Sequence, residues 1–376
     1  MSRRFVVRAL IAGAIAIVLD ELPIFNNPLS MLAATPSTSE WDILSAINPN
    51  LLSFQVQSIV VDPKNGAIND NRERFTSVGM QRHSSKLIAY GILTKDIPLI
   101  DTGIKIIEYA LSYQSFNGSF PNFLPEGGEG VPRSVSFFLQ DTGRSLLLAQ
   151  GSSWFQSSEQ TSKLRARLKR IIPAVTNSLN WLMSREEELR KHDRVATNRI
   201  FFHALAYYLV GKALRRPDAM KMGEKFARMA LKQQGKEGFF QEGKGYDTSY
   251  NGVSLQQALI LYANLDFSGS SLRQDLWNSI ERSVRWQLNY FLPSGQLSTT
   301  GNTRIYAGGE RFLGRTKTVD YVPLIVALNY YSKLSGDSNV QNVADRTFSF
   351  YKESKDRTNM QERARKHPKA SRRESR

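Results

Sequence analysis

The chain has 376 residues, of which 41% are hydrophobic, 10% aromatic and 22% charged, the make-up of a folded globular protein. It contains no cysteine, which excludes disulfides and thiolate chemistry. Its four histidines form no HExxH or paired pattern, so no metal or other cofactor is expected. The formal charge of +16 favours an anionic partner, yet no nucleic-acid-binding motif accompanies it.

The N-terminus reads as an address. In "MSRRFVVRALIAGAIAIVL" an arginine pair precedes an apolar run too short to span a bilayer comfortably, as in a twin-arginine export signal. Ala33 and Ala34 would suit a signal peptidase, so residues 1–38 are expected to be a leader and the mature protein periplasmic or secreted. An uncleaved N-terminal anchor is the alternative, and it is the only membrane contact expected.

From Trp41 onward the pattern is helical, and the helices come in pairs. One series is apolar nearly all round: 83–94, 134–150, 197–214, 250–265 and 320–334. The other is amphipathic, with apolar residues at three- and four-residue intervals: 100–114, 162–191, 218–234, 270–291 and 342–354. Helices of the first kind pack between neighbours, and those of the second keep one wet face. The alternation, at a spacing of about 50–70 residues, predicts an all-α domain over 41–353. Its expected architecture is an (α/α) toroid, an incomplete barrel of five or six pairs, with residues 41–80 able to supply the sixth. The basic segment 354–376 is expected to be a disordered tail; from Lys355 on it carries nine Lys/Arg against three Asp/Glu.

Three junctions from an outer to an inner helix share a phrase: "YQSFNGSFPNFLPEGGEG" (113–130), "QQGKEGFFQEGKGYD" (233–247) and "YFLPSGQLSTTGNTR" (290–304). They should lie at one end, with glycine supplying left-handed turns and aromatics available to stack on sugars. The inner-helix starts beside them carry polar side chains. These are Asp141 and Arg144, then Asn198 and Arg199, and then Glu242, Tyr246, Asp247 and Asn251 around Tyr250. Arg304, Tyr306 and Arg311 follow in "NTRIYAGGERFLGR", and His203 lies one turn beyond Arg199. Thr197 and Asp247 also read as helix N-caps.

On these residues the chain resembles a known family. "ATNRIFFHALAYYLVGKAL" and "EGFFQEGKGYDTSYNGVSL" are similar to the inner helix and the Gly-aromatic loop of toroid polysaccharide lyases, those that cleave hyaluronate, chondroitin, xanthan or alginate. The resemblance covers roughly 190–315 and implies β-elimination on an acidic, uronic-acid polysaccharide. It places Asn198 at the substrate carboxylate and makes Tyr250 the proton-transfer residue, with Arg304 and Arg311 on the anionic polymer. Asp141, Arg144, Arg199, Tyr246, Asp247, Asn251 and Tyr306 would complete the binding surface. Where the family has a histidine after Gln, this chain has Glu242, and His203 is the candidate to replace it. Two other readings stay open: an inverting glycoside hydrolase using Glu242, Asp247 or Asp141 as its carboxylate pair, and a glycan-binding protein without catalysis. A terpene-cyclase type of toroid ranks last, because its DxDD signature is missing.

Overall fold

The computed structural model describes residues 39–124, 131–266, 271–306, 308–312 and 314–366. The expected leader (1–38), the end of the first junction (125–130) and the last ten residues of the basic segment lie outside them. The described chain is all-α: fourteen α-helices and one two-stranded hairpin. Among the described residues no helix is long and apolar enough to cross a membrane.

The two predicted series are present. The first comprises α3 (Ser84–Thr94), α5 (Val131–Gly151), α9 (Thr197–Ala213), α11 (Thr248–Asn264) and α13 (Tyr321–Ser335). Successive members pack on one another, α3 on α5, α5 on α9, α9 on α11 and α11 on α13. Burial all round is the reason for their composition. On α9, Phe201, Tyr207, Leu209 and Val210 point in different directions, yet all are buried. Each such side chain contributes about 1.5–3 kcal/mol.

The second series comprises α4 (Ile97–Leu111), α7 (Ser162–Met183), α10 (Pro217–Leu231), α12 (Ser271–Leu288) and α14 (Ser338–Lys366). On α10 only the stripe Ala219, Gly223, Phe226, Ala227 and Ala230 is buried, and it packs on α9. Two expectations change. The run 162–191 is not one helix, because it breaks at Ser184–Arg185 and resumes as α8 (Glu186–His192). The last helix does not stop at 354 but runs to Lys366, taking in part of the expected tail.

Residues 41–80 do not supply a sixth pair of the same kind. They form two short helices, α1 (Glu40–Ala46) and α2 (Pro49–Gln57), followed by 3-10 turns. Helix α2 packs on α3, and its Phe54 ring meets Phe348 and Tyr351 of α14 edge-on. Helix α1 touches α5, α11 and α13. Between them sits an ionic cluster: Glu40 accepts from Arg144 (2.7 Å), Tyr330 (3.0 Å) and Asn264 (2.8 Å).

The shared junction phrase is one recurring turn. The glycines of Ser115–Gly118, Gly235–Gly238 and Leu292–Gly295 each donate N–H to the first residue's carbonyl at 2.9 Å and have φ of 89°, 111° and 86°. A β-carbon there would come within 2.5 Å of the carbonyl oxygens of Asn177, Arg282 and Arg346, each on the next outer helix. Two residues on, Phe120, Phe240 and Leu297 are buried. Glycine therefore serves both the left-handed turn and the close approach. Gly66, at φ 88° against Lys105 of α4 and two residues before buried Ile68, makes a similar close approach, although its N–H donates one residue further back, to the Asp62 carbonyl.

Candidate functional site

A cavity of about 1110 Å³ opens where helices of the first series begin, lined by side chains from α3, α5, α9, α11, α13 and α14. Helices α3, α9, α11 and α13 present their N-terminal turns to it, through Ser85, Arg199, Ser249 and Val322 among others. Carboxylates already accept from N–H groups of these turns, Asp141 at α3, Glu242 at α9 and Asp247 at α11, so these helix ends are capped from within the protein. The cationic residues Arg82, Lys86, Arg144, Arg199, Arg304 and Lys317 line the same space, against Asp141 and Asp320.

One wall is built by the loop that precedes α11. Asp247 caps this helix by accepting from the N–H groups of Ser249 and Tyr250, and its second oxygen accepts from Arg304 and Ile305 N–H. Its carboxylate thereby ties the 298–305 loop to the start of α11. The Arg304 guanidinium lies 3.8 Å from the centre of the Tyr250 ring. It donates to Glu310 at 2.7 and 2.9 Å and to Glu242 at 2.7 Å.

The hairpin Arg311–Phe312/Arg315–Thr316 returns Lys317 to the same place, where it donates to the Tyr250 hydroxyl (2.8 Å) and to Glu310 (2.9 Å). Burial would raise the Glu310 carboxyl, but hydrogen bonds from Arg304 and Lys317 outweigh it and hold it at about 2. Glu242 is fully buried and shares Arg304 with Glu310. Burial therefore wins over Arg304 and the Asn198 N–H, and its carboxyl is pushed up to about 7. The Tyr250 phenol is raised, chiefly by burial, despite the Arg304 charge.

Of the residues expected at the site, Asp141, Arg144, Asn198, Arg199, Tyr250 and Arg304 line the cavity together. Two of these have their charge engaged elsewhere. Arg144 belongs to the Glu40 cluster, and Asp141 caps α3 from outside: it accepts from the N–H of His83 (2.9 Å) and Ser85 (3.3 Å) and from the hydroxyls of Ser84 and Ser85 (both 2.5 Å). Arg199 leans on Asp193 at 3.1 Å.

The remaining expected residues do not line the cavity. Glu242 stands behind Arg304. His203 is enclosed, its ring bonded to Ser136 (2.7 Å) and to Asp193 (3.0 Å), which also takes both ends of the Arg133 fork. One helical turn from Arg199 turns the imidazole into the α5–α9 interface rather than the cavity. Tyr246 packs among Phe239, Trp286 and Tyr290. Asn251 is spent on Phe240 N–H, Gln287 and Ser283. Tyr306 is half exposed outside the cavity, and Arg311 donates to the Gly314 carbonyl on the hairpin.

Sequence reasoning missed Lys317 and the wall at the start of α3, formed by Arg82, His83 and Lys86. Lys317 carries no sequence signal, since only the hairpin brings it back to Tyr250. The run "QRHSSK" before an apolar helix was the available sign of the other wall. Asp320 is open to the cavity but surrounded by protein; burial raises its carboxyl, against the pull of Lys86. Burial likewise lowers the Lys86 ammonium, although Asp320 and Asp141 oppose this. Among the described residues no three His, Asp or Glu side chains converge as a metal site.

No protein-family model, curated protein or solved structure matches this chain. The function therefore has to be argued from the cavity itself.

Proposed function

We propose that the five helix pairs form an (α/α) toroid closed by α2 and plugged at its far end by α1. In this reading the cavity binds an acidic, uronic-acid polysaccharide and cleaves it by β-elimination. The observation that carries it is the Tyr250 hydroxyl, hydrogen-bonded to Lys317 and stacked under Arg304, in a cavity whose charged lining residues are mostly cations. An excess of cations suits a polymer carrying repeated carboxylates. Asn198 and Arg199 face the carboxylate and lower the cost of the carbanion formed beside it. A phenol held protonated by burial suits the proton donor to the leaving oxygen.

The hydrolase alternative is weaker on this geometry. An inverting pair needs two free carboxyl groups about 6.5–9.5 Å apart. Glu242 is sealed behind Arg304, and the oxygens of Asp247 and Asp141 are occupied by capping bonds. A non-catalytic glycan-binding role stays open to test. Purified protein incubated with polygalacturonate, alginate, hyaluronan and neutral polymers should yield products with the ultraviolet absorbance of an unsaturated uronate. New reducing ends without that absorbance would point to hydrolysis, and binding without products to the non-catalytic role.

We also propose export by way of the arginine-pair leader. Fractionation should find the full-length chain outside the cytoplasm, and a chain with Arg3→Lys and Arg4→Lys retained within it.

A further inference from the structure

The N-terminus of α3 holds an unusual residue. Four non-glycine residues of the described chain have positive φ; Asn69, Lys95 and Arg215 sit at 54–57°, in the ordinary left-handed well. His83 stands at φ 111° and ψ 2°, a region that costs a residue with a β-carbon conformational energy. Glycine would adopt it freely, yet the position carries an imidazole.

The strain is held in place from a neighbouring helix. The Asp141 carboxylate on α5 grips the His83 and Ser85 N–H groups and the Ser84 and Ser85 hydroxyls. Ser84 is tied further to Ser145 at 2.9 Å. The imidazole itself is left unengaged: it lines the cavity and makes no hydrogen bond among the described residues.

Its surroundings define what it can do. Arg82 and Lys86 flank it on its own segment, Asp141 and Arg144 face it from α5, and Asp320 lines the same wall from the start of α13. Burial first, and then the Lys86 and Arg82 charges, keep the imidazole well below its ordinary pKa, so it is neutral at neutral pH with a free lone pair. The same two cations would attract a uronate carboxylate, bringing the acidic hydrogen on the adjoining carbon beside the ring.

We propose that His83 is the base of the elimination, held in a strained backbone by Asp141 so that its ring meets the substrate between Arg82 and Lys86. This assignment rests on the β-elimination reading above. A ring nitrogen takes the proton from C5. The C5–H electron pair becomes the C4=C5 double bond as the C4–O4 bond breaks, and the departing O4 takes the Tyr250 hydroxyl proton. His83 ends with one proton more and Tyr250 with one fewer, and after product release exchange with solvent in the cavity restores both. Base and acid thus come from different walls of the cavity, α3 and α11.

The variant His83→Gly separates catalysis from structure, because glycine relieves the strain while removing the base. On a uronate polymer that the wild type cleaves, elimination should fall by about 100-fold or more. The thermal midpoint should hold or rise by a few °C, roughly, as left-handed strain is released. Added imidazole should restore part of the activity. His83→Asn, which tolerates left-handed backbone, should be equally inactive and gives a second folded reference. Near-wild-type elimination in either variant overturns the assignment alone. Joint loss of activity and stability in both variants, with no imidazole rescue, overturns it as well and marks His83 as structural. A wild type that eliminates none of the uronate polymers overturns the β-elimination reading, and this assignment with it.

Discussion

Two of the chain's buried carboxylate–arginine clusters are built to opposite effect. Between α1 and the inner helices, Glu40 meets Arg144, Tyr330 and Asn264, one carboxylate shared among three donors. At the cavity, one arginine is shared between two carboxylates: Arg304 serves Glu310 and Glu242, and at Glu242 burial outweighs the bonds from Arg304 and the Asn198 N–H. The first arrangement is electrically complete and reads as a clasp. The second holds the Glu242 carboxyl near 7 behind Arg304, while Glu310 and Lys317 take the side of the arginine that faces Tyr250. Satisfied buried charge holds a fold together, and under-satisfied buried charge is available for function.

The comparison can be broken at either end. The largest expected effect is Glu40→Ala, which leaves the Arg144 guanidinium buried without a counter-charge. It should cost about 3–5 kcal/mol in denaturant unfolding, and a loss under 1 kcal/mol would show that the clasp is not holding the ends of the inner helices.

Glu242→Gln tests the other cluster through pH. The folded carboxyl, at about 7, lies above the ordinary glutamate value of 4.5. The folded state therefore binds the proton more tightly, and wild-type stability falls as pH rises from about 4.5 to about 7. The Gln variant lacks this slope and should gain up to about 3 kcal/mol on the wild type across that window. Parallel unfolding profiles for the two proteins would contradict the raised carboxyl.

Tyr250→Phe keeps the ring under Arg304 but removes the hydroxyl bonded to Lys317. Elimination should drop by about 100-fold or more while the melting temperature stays close to that of the wild type; retained turnover would remove Tyr250 from the chemistry. The smallest contrast lies within one loop. Gly238 and Gly243 both have positive φ, but a β-carbon meets the Arg282 carbonyl at the first and open space at the second. Gly238→Ala should cost about 1–3 kcal/mol and Gly243→Ala less, roughly 1 kcal/mol or under. Equal losses would mean that backbone conformation, not the close approach, sets the need for glycine.

Much of the fold was legible because its signals are local. All-round apolar helices, one-faced helices and Gly-x-apolar turns each follow from spacing along a few turns of chain. The break at Ser184–Arg185 escaped because the sequence on both sides still favours helix. The site was legible only in part. Asp247 as a cap and Tyr250 at the start of α11 follow from local pattern, and both stand where the sequence placed them. His203 was read as one turn deeper on the face of Arg199, but a turn was enough to bury it against Ser136 and Asp193.

By itself, then, the sequence determined the helical class, the two kinds of helix, the recurring glycine turns and the gathering of polar residues at inner-helix starts. Hydrophobic period and backbone stereochemistry act within a few residues, so they can be read there. Only the tertiary structure decided which charges are spent and which are free. Asp141 was claimed by α3, Glu242 was sealed by an arginine 62 residues away, and Lys317 was returned to Tyr250 by a hairpin. Such pairings depend on distances between segments far apart in the chain, and packing alone sets those distances.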